Sequence, residues 1–307
     1  MRVVFFGTPE FAVPSLAALH RTLTDIAAIV TQPDRPRGRS HSRAVPPPVK
    51  EYALQTGIPV WQPERPRGEA FLARVRDAGA DLGVVVAYGH ILPADLLAIP
   101  RLGFVNVHAS LLPRWRGAAP IQWAIASGDI ETGVSIMRVE EGLDTGAVWL
   151  ERSIPIGDDE TAGTLTGRLA QLGADTLLEA LPAIGAGATP APQDNARATH
   201  AAKVTRELAR IDWSRSAAEI SRLIRAMDPA PGAWTTLDGA PVKLFAPARP
   251  VDAPNEQSGS AIWRNDELIV GTGRGAVSIG VVQPAARRRM PAADWHHGAG
   301  GGAIRFV

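Results

Sequence analysis

Three side chains of the types used in acyl transfer lie at two points in the chain: Asn106, His108 and Asp144. An amide and a protonated imidazole can donate hydrogen bonds to a tetrahedral oxyanion, and a carboxylate can hold the imidazole charge and manage protons. The alternation of a β-strand places Asn106 and His108 on the same face of their strand. A lone histidine is usually structural, so it is the combination of the three groups that favours acyl-transfer chemistry.

Other kinds of catalytic site fit the sequence less well. The chain has no cysteine, which excludes disulfides, thiolate nucleophiles and cysteine zinc sites. Ser110 does not lie in the G-x-S-x-G elbow of serine hydrolases. The turn at residues 7–12 lacks G-x-G-x-x-G and contains Glu10, which would repel a pyrophosphate, so a dinucleotide site is disfavoured. The seven histidines are scattered, and we expect no metal site.

The candidate residues lie in a region that alternates apolar runs of strand length with helical patterns. The runs are residues 3–6, 26–31, 82–88, 103–108, 133–139 and 147–154, and the helical patterns are residues 14–22 and 165–181. This alternation predicts βαβ units around a largely parallel sheet. Ligands bind at the carboxyl ends of the strands in such sheets, and Asn106 and His108 come at one of those ends.

A second domain is expected because 307 residues is about twice the roughly 150 used as a one-domain prior. A stretch rich in Ala, Gly and Pro at residues 186–202 reads as a linker. Beyond it, the spacing predicts a helix over residues 216–227 with Ser214 as N-cap, followed by short strands of a small β-barrel. Asp238-Gly239 predicts a hairpin turn. The expected domains are therefore residues 1–185 and 203–307.

The net charge of +1 conceals an uneven distribution of charged residues. Up to residue 199 there are 18 Lys and Arg against 21 Asp and Glu, and beyond it 14 against 10. Prolines are expected to exclude regular structure from a basic loop at residues 32–49. The cations that could meet a phosphate backbone are Arg35, Arg37, Arg39 and Arg43 in that loop and Arg287, Arg288 and Arg289 near the end. Both groups also fit an ordinary solvated surface.

The sequence shows no sign of a membrane or secretory segment. No run approaches the 18 or more apolar residues of a membrane span, and the N-terminus reads directly into a buried strand. We therefore expect a cytoplasmic protein.

Several segments closely resemble the methionyl-tRNA formyltransferase family. They are FFGTPEFA at 5–12, QPDRP at 32–36, NVHASLLPRWRGAAPI at 106–121, GLDTG at 142–146, ARIDWS at 209–214 and IRAMDP at 224–229. The N-x-H-x-S-L-L-P part alone marks the wider group of formyltetrahydrofolate-using transferases. The G-A-A-P-I extension, the basic loop and the C-terminal segments narrow the resemblance. Trp115 stands where tyrosine or phenylalanine is usual in the family.

The resemblance implies a fold, a reaction and a set of site residues. The fold is α/β: a Rossmann-like formyltransferase domain with a mostly parallel sheet, followed by a smaller OB-like β-barrel domain. The reaction moves the formyl group of 10-formyltetrahydrofolate, a co-substrate, to the amino group of methionyl-initiator tRNA for translation initiation, with no metal required. The implied site residues are Asn106, His108 and Asp144 for catalysis, Ser110, Leu111, Leu112 and Pro113 for the folate, and Arg39 for the tRNA. Segments 88–93 and 140–144 would flank the pterin.

Rival functions use the same scaffold. One is a formyltransferase for another amine, such as an amino sugar nucleotide, or a hydrolase of the folate itself. Another is a non-catalytic RNA-binding protein. The presence of Asn106, His108 and Asp144 together argues against that function. The basic loop and the C-terminal domain favour tRNA as the acceptor, and we expect a monomer without an obligate protein partner.

Overall fold

The computed structural model of the 307-residue chain describes residues 1–22, 24–36, 44–252, 257–264, 267–298 and 304–307. The chain divides into two compact units, each assembled from three segments. The first comprises residues 1–117, 133–154 and 166–200, and the second comprises residues 118–132, 155–165 and 201–307.

The elements before residue 200 are strands interspersed with helices, and six of the strands coincide with the predicted apolar runs. The strands are β1 (Arg2–Gly7), β2 (Asp25–Val30), β3 (Arg35–Pro36), β4 (Ala44–Val45), β5 (Val60–Trp61), β6 (Leu82–Val86), β7 (Phe104–His108), β8 (Arg116–Gly117), β9 (Glu131–Arg138) and β10 (Val148–Pro155). The helices are α1 (Val13–Arg21), α2 (Pro48–Thr56), α3 (Glu69–Asp77), α4 (Ala94–Leu97), α5 (Pro120–Ser127) and α6 (Ala162–Gly185), with 3₁₀ turns at Glu10–Ala12 and Asn195–Arg197.

The large sheet has the strand order β10-β9-β7-β6-β1-β2-β5. Strand β1 pairs in parallel with β2 and β6, and the pairs β6–β7 and β2–β5 are also parallel. Of the strand pairs in this sheet whose residue-by-residue register is defined, only β7–β9 is antiparallel. The predicted mostly parallel sheet is confirmed, and β7 lies inside it, with β6 on one side and β9 on the other.

The parallel strands are mainly apolar because most of their residues are buried. The exceptions are Arg2 and Asp25 at the starts of β1 and β2, and Asn106 and His108 in β7. Residues 3–7 of β1 are all buried. The ring of Phe6 makes T-shaped contacts with Tyr88 and Phe104 at centroid distances of 5.3 and 5.4 Å. A Cβ atom at Gly83 would lie 2.1 Å from the ring of Phe104, so this glycine lets the aromatic ring pack against β6. This core holds β7, and with it the candidate site, in a fixed place.

The expectation that prolines exclude regular structure across residues 32–49 is wrong at the C-terminal end of that stretch. Helix α2 begins at Pro48, with Pro47 as its N-cap. Proline fits the first turn of a helix because its missing N–H has no intrahelical partner there. The short strands β3 and β4 also pair with each other. Residues 37–43, including Arg39, lie outside the described residues.

Besides α5, the second unit contains the elements from residue 200 onward, apart from His200 itself. They are β11 (His200–Ala201), α7 (Ala217–Ala226), β12 (Ala233–Leu237), β13 (Ala240–Val251), β14 (Ser260–Arg264), β15 (Glu267–Gly271), β16 (Ala276–Pro284), β17 (Met290–Pro291), α8 (Ala292–Gly298) and β18 (Ile304–Arg305). No helix within the described ranges is both long enough and apolar enough to cross a membrane.

Strands β12 to β18 form an antiparallel sheet of order β12-β13-β16-β15-β14-β18, with β17 added to β16. The hairpin between β12 and β13 turns at Asp238 and Gly239, whose φ angles are +50° and +77°. Two positive φ angles are typical of a type I′ turn, so the predicted hairpin is confirmed. The predicted small barrel-like domain is confirmed with it.

Helix α7 has a different N-cap from the predicted Ser214. The side chain of Ser216 accepts from the backbone N–H of Glu219, and the Glu219 carboxylate accepts from the N–H of Ser216, which is a complete capping box. The hydroxyl of Ser214 instead donates to Asp212 at 2.6 Å. Both serines suit a cap, but only Ser216 has a glutamate three residues later.

Candidate active site

Strand β7 carries two of the three predicted catalytic groups. Asn106 is half-buried and His108 is buried, two residues apart and hence on the same face. Asn106 is paired with Val85 on one side and Met137 on the other, and His108 is paired with Ser135. Both side chains therefore project from an inner strand at its carboxyl end, where the backbone has little freedom.

The imidazole of His108 is oriented by a main-chain carbonyl. Its Nε2 lies 3.0 Å from the carbonyl oxygen of Trp115, which can only accept, so Nε2 carries a proton. Trp115 has φ +60°, in the left-handed region that non-glycine residues rarely adopt, and its N–H donates to Oγ1 of Thr199. This loop geometry leaves Nδ1 as the ring nitrogen directed toward Asp144.

The carboxylate of Asp144 completes the group. Its Oδ2 lies 3.7 Å from Nδ1 of His108, which is an ion-pair distance rather than a hydrogen bond. The same oxygen accepts a hydrogen bond of 2.9 Å from the N–H of Gly117. The two side chains are only 6% and 14% exposed. The structure thus brings together residues that are 36 positions apart in the sequence.

The turn that presents Asp144 is tightly constrained. Asp144 itself has φ +53°, in the left-handed region. A Cβ atom at Gly146 would lie 2.0 Å from the carbonyl oxygen of Arg138, so no larger residue fits there without movement. The left-handed φ of Asp144 is uncommon for a residue other than glycine, and such conformations cluster at functional sites.

The predicted folate-binding residues 110–113 follow β7 as a loop with a fixed main chain. The Ser110 hydroxyl donates to the carbonyl of Arg114 at 2.6 Å, and the Leu112 N–H donates to Oγ of Ser135 at 3.0 Å. A Cβ atom at Gly133 would lie 2.5 Å from Cδ2 of Leu111, which packs over that glycine. Leu112 is buried and Pro113 is half-buried. The loop forms a preformed wall beside His108.

The Tyr88–Pro93 segment is tied to the first strand's turn. The carbonyl of Tyr88 accepts from Oγ1 of Thr8 and from Nε2 of Gln32. The phenol ring is 1% exposed, and burial raises the pKa of Tyr88 to about 12. Its hydroxyl has no hydrogen-bond partner among the described residues. A polar group is thus buried within the segment predicted to flank the pterin.

The base of the basic loop is held by a carboxylate. Asp34 accepts from Nε2 of Gln62 and from Nζ of Lys50, both at 2.8 Å. These hydrogen bonds, that from Gln62 first, hold the pKa of Asp34 below its usual value. Lys50, at the end of the predicted basic loop, is therefore paired inside the protein. Arg39, the predicted tRNA contact, lies outside the described residues.

One member of the predicted arginine triplet serves a structural purpose. The guanidinium of Arg289 donates to both oxygens of the buried Asp228 carboxylate, at 3.0 and 2.8 Å, and lies over the ring of Phe245. Arg287 and Arg288 are exposed. Arg289 is exposed as well, but its guanidinium is engaged by Asp228, so Arg287 and Arg288 are the better candidates for contact with a phosphate backbone.

Sequence reasoning missed two residues beside Asp144. Arg116 is 5% exposed and donates to Oε1 of Gln193, whose amide contacts the Asp144 turn. The two lie 77 positions apart, and Gln193 falls in the stretch predicted as a linker. The one sequence feature that could have pointed to this pair is the position of Arg116 within the resemblance segment 106–121.

Comparison with known proteins decides the family. Residues 1–181 match the family model described as "Formyl transferase", and residues 203–300 match "Formyl transferase, C-terminal domain". The chain belongs to the formyl transferase family. This formyl transferase is 49% identical over 296 residues to the methionyl-tRNA formyltransferase of Methylococcus capsulatus, covering 96% of each chain. It is 45% identical over 299 residues to that of Solibacter usitatus, covering 97% of this chain and 96% of the relative.

Solved structures of more distant proteins share the fold of this formyl transferase. HypX from Aquifex aeolicus in complex with tetrahydrofolic acid superposes with a TM-score of 0.67 at 20% identity, covering 96% of this chain and 47% of HypX. The sugar 3N-formyl transferase WlaRD, solved with dTDP and 5-N-formyl-THF, gives 0.69 at 16% identity, covering 94% and 99%. At these identities the likeness establishes the fold alone.

Proposed function

We propose that this formyl transferase moves the formyl group of 10-formyltetrahydrofolate to the free amino group of methionyl-initiator tRNA, giving N-formylmethionyl-tRNA for translation initiation. The relatives that match at 44–49% identity over nearly the whole chain are methionyl-tRNA formyltransferases. The observation that carries the proposal is the pair of buried His108 and partly buried Asp144, 3.7 Å apart, at the carboxyl end of β7 beside Asn106.

The described residues fit a formyl donor with a flat ring and polar edges. Leu111, Leu112 and Pro113 offer an apolar wall whose main chain is held by internal hydrogen bonds, with Ser110 at its start. The main chain of the 88–93 segment is anchored at Tyr88, whose carbonyl accepts from Thr8 and Gln32. We assign the folate to residues 110–113, with segments 88–93 and 140–144 beside its ring.

In the proposed reaction the methionyl amine attacks the formyl carbon, and the carbonyl electron pair moves onto oxygen. Asn106 and the Nδ1–H of His108 donate hydrogen bonds to that oxyanion, since Nε2 is already engaged by Trp115. Asp144 stabilises the imidazolium. When the oxyanion collapses, the folate nitrogen departs and takes a proton, and the amine loses one, so the proton count balances. A formyl group on nitrogen is already activated, so the step needs no metal.

We further propose a division of labour between the catalytic domain, residues 1–185, and a tRNA-binding domain, residues 203–307, joined by the linker 186–202. The two family matches, which end at 181 and resume at 203, support this division. Arg39, Arg287 and Arg288 are the proposed contacts with the tRNA backbone, since phosphate binding is built mainly from such cations. We expect the protein to act as a monomer in the cytoplasm.

The decisive experiment is a formylation assay on the purified full chain. It uses 10-formyltetrahydrofolate with methionyl-initiator tRNA as acceptor, and mass spectrometry of the released aminoacyl group as readout. Uncharged initiator tRNA is the matched control, because it keeps every phosphate contact but has no amine. A dTDP-linked amino sugar is the competing acceptor. Formylmethionine is expected only with charged tRNA. No product, or faster formylation of the amino sugar, would overturn the proposal.

A further inference from the structure

The side-chain amide of Gln193 closes the turn that carries Asp144. Its Nε2 donates to the carbonyl oxygen of Asp144 at 2.9 Å and to that of Gly146 at 2.7 Å. These two acceptors lie on either side of a single residue, so one amide group spans the turn. Its two N–H bonds are directed to two different carbonyls, which is the full donor capacity of a glutamine side chain.

Arg116 determines which way that amide faces. Its Nε and Nη2 lie 2.9 and 2.7 Å from Oε1 of Gln193, and Nη2 also lies 2.8 Å from Oδ1 of Asn195. A guanidinium only donates, so the oxygen end of the Gln193 amide must face Arg116 and the NH₂ end must face the turn. Arg116 is 5% exposed, and its partners here are neutral amide oxygens. The buried guanidinium therefore fixes the orientation of the two amide oxygens that accept its hydrogen bonds.

The side chain of Asp144 is held from the same place. The N–H of Gly117, which directly follows Arg116, donates to Oδ2 of Asp144, and that oxygen is the one 3.7 Å from Nδ1 of His108. The left-handed φ of +53° at Asp144 is uncommon for residues with a Cβ atom, although Asp tolerates it better than most. The turn therefore depends on contacts from outside itself, and Arg116, Gly117 and Gln193 supply them to both the main chain and the carboxylate.

We infer that Gln193, oriented by Arg116, is a positioning residue for Asp144. It holds the main chain of the turn so that Oδ2 of Asp144 faces His108, and it acts only through Asp144. This inference rests on the proposed function, because it assumes that Asp144 takes part in formyl transfer. The stretch that contains Gln193 thereby contributes to catalysis from the region between the two family matches.

The test replaces Gln193 by methionine, which keeps the length of the side chain and removes its amide. We expect kcat for formylation of methionyl-tRNA to fall about 10- to 100-fold, since a small displacement of a catalytic group can have an effect of this size. The KM values for both substrates should stay within about threefold, because binding is not the step affected. Gln171→Met is the matched control: Gln171 is an exposed glutamine of α6 in the same unit, and its variant should retain the wild-type kcat.

A double-mutant cycle separates positioning from a merely structural role. If Gln193 acts through Asp144, the double variant Asp144→Asn with Gln193→Met should have a kcat within about threefold of that of Asp144→Asn alone. Gln193→Glu, which keeps the pairing with Arg116 but removes the NH₂ donor, should resemble Gln193→Met. Arg116→Lys should lower kcat in the same non-additive way, because an ammonium cannot reproduce the two guanidinium N–H groups that donate to Oε1 of Gln193. This variant takes the place of Gln193→Met in the test if Gln193→Met does not fold.

Three results would overturn the inference: a kcat of Gln193→Met within about threefold of wild type, effects that multiply in the cycle, or a change confined to KM. Failure of the proposed function would look different, because the wild-type protein itself would then not formylate methionyl-tRNA. If the wild type is active and Asp144→Asn is impaired while Gln193→Met is normal, only the inference about Gln193 fails.

Discussion

Replacing Asp144 by asparagine tests the charge at the centre of the proposed mechanism. The asparagine carbonyl can occupy the position of Oδ2 and still accept from the N–H of Gly117, which lies 2.9 Å away. The substitution thus keeps the shape and the hydrogen bond and removes the negative charge that faces His108. Any loss of activity then reports on charge rather than on the conformation of the turn.

The size of the effect follows from the geometry. At 3.7 Å a carboxylate and an imidazolium attract each other by about 4.5 kcal/mol at an effective dielectric constant of roughly 20. Each 1.36 kcal/mol corresponds to about tenfold in rate, so the upper limit is about 2000-fold. Because 14% of the Asp144 side chain is exposed to water, screening reduces the attraction, and we expect kcat to fall by about 100- to 1000-fold.

The assay is single-turnover formylation of methionyl-tRNA with both enzyme and formyl donor in excess, so that binding does not limit the rate. Asp175→Asn is the matched control, since this substitution of an exposed carboxylate on α6 makes the same change in net charge. Its rate should equal that of the wild type. A rate for Asp144→Asn within about threefold of wild type would refute the electrostatic reasoning.

Three further predictions address other parts of the chain. Asn106→Ala should lower kcat about 100-fold or more with little change in the KM for the formyl donor, because one oxyanion donor contributes about 3–4 kcal/mol; steady-state kinetics near wild type would contradict it. Asp34→Asn should lower the free energy of urea unfolding by about 1 kcal/mol at pH 7. Hydrogen bonds from Gln62 and a lysine ammonium keep the pKa of Asp34 low. The difference in unfolding free energy between wild type and variant should therefore persist above pH 3.8 and shrink below it. A difference that does not change with pH would exclude the ion pair as its source. Arg288→Ala should reduce the slope of log K for tRNA against log salt by about 1, whereas Arg289→Ala should leave the slope and lower the unfolding free energy by about 1–2 kcal/mol; the reverse result would contradict the pairing of Arg289 with its buried carboxylate.

Features that depend on neighbouring residues could be predicted from the sequence. The two-residue alternation of a strand placed Asn106 and His108 on one face, and the hairpin at Asp238-Gly239 follows from two residues that tolerate positive φ. Six of the seven strands of the large sheet followed from apolar runs, because a strand buried on both faces has little room for polar residues, whereas the two-residue strand β5 was not predicted. Where local rules competed, the prediction was wrong: two serines suited the cap of α7, and Pro48 began a helix instead of excluding one.

Contacts between distant segments were beyond these local rules. The left-handed φ of Trp115 directs its carbonyl to Nε2 of His108, and no spacing pattern signals such a conformation in a residue with a bulky side chain. Arg289 pairs with Asp228 across 61 positions, a contact that no local pattern signals.

The sequence by itself determined the fold class, the resemblance and the types of groups available for chemistry, because these depend on composition, periodicity and short motifs. Only the tertiary structure decided which nitrogen of His108 faces Asp144 and that Gln193 lies under the Asp144 turn. The physical reason is that directed hydrogen bonds and ion pairs act over about 3–4 Å in space, whereas the partners here lie 7 to 49 positions apart in the chain.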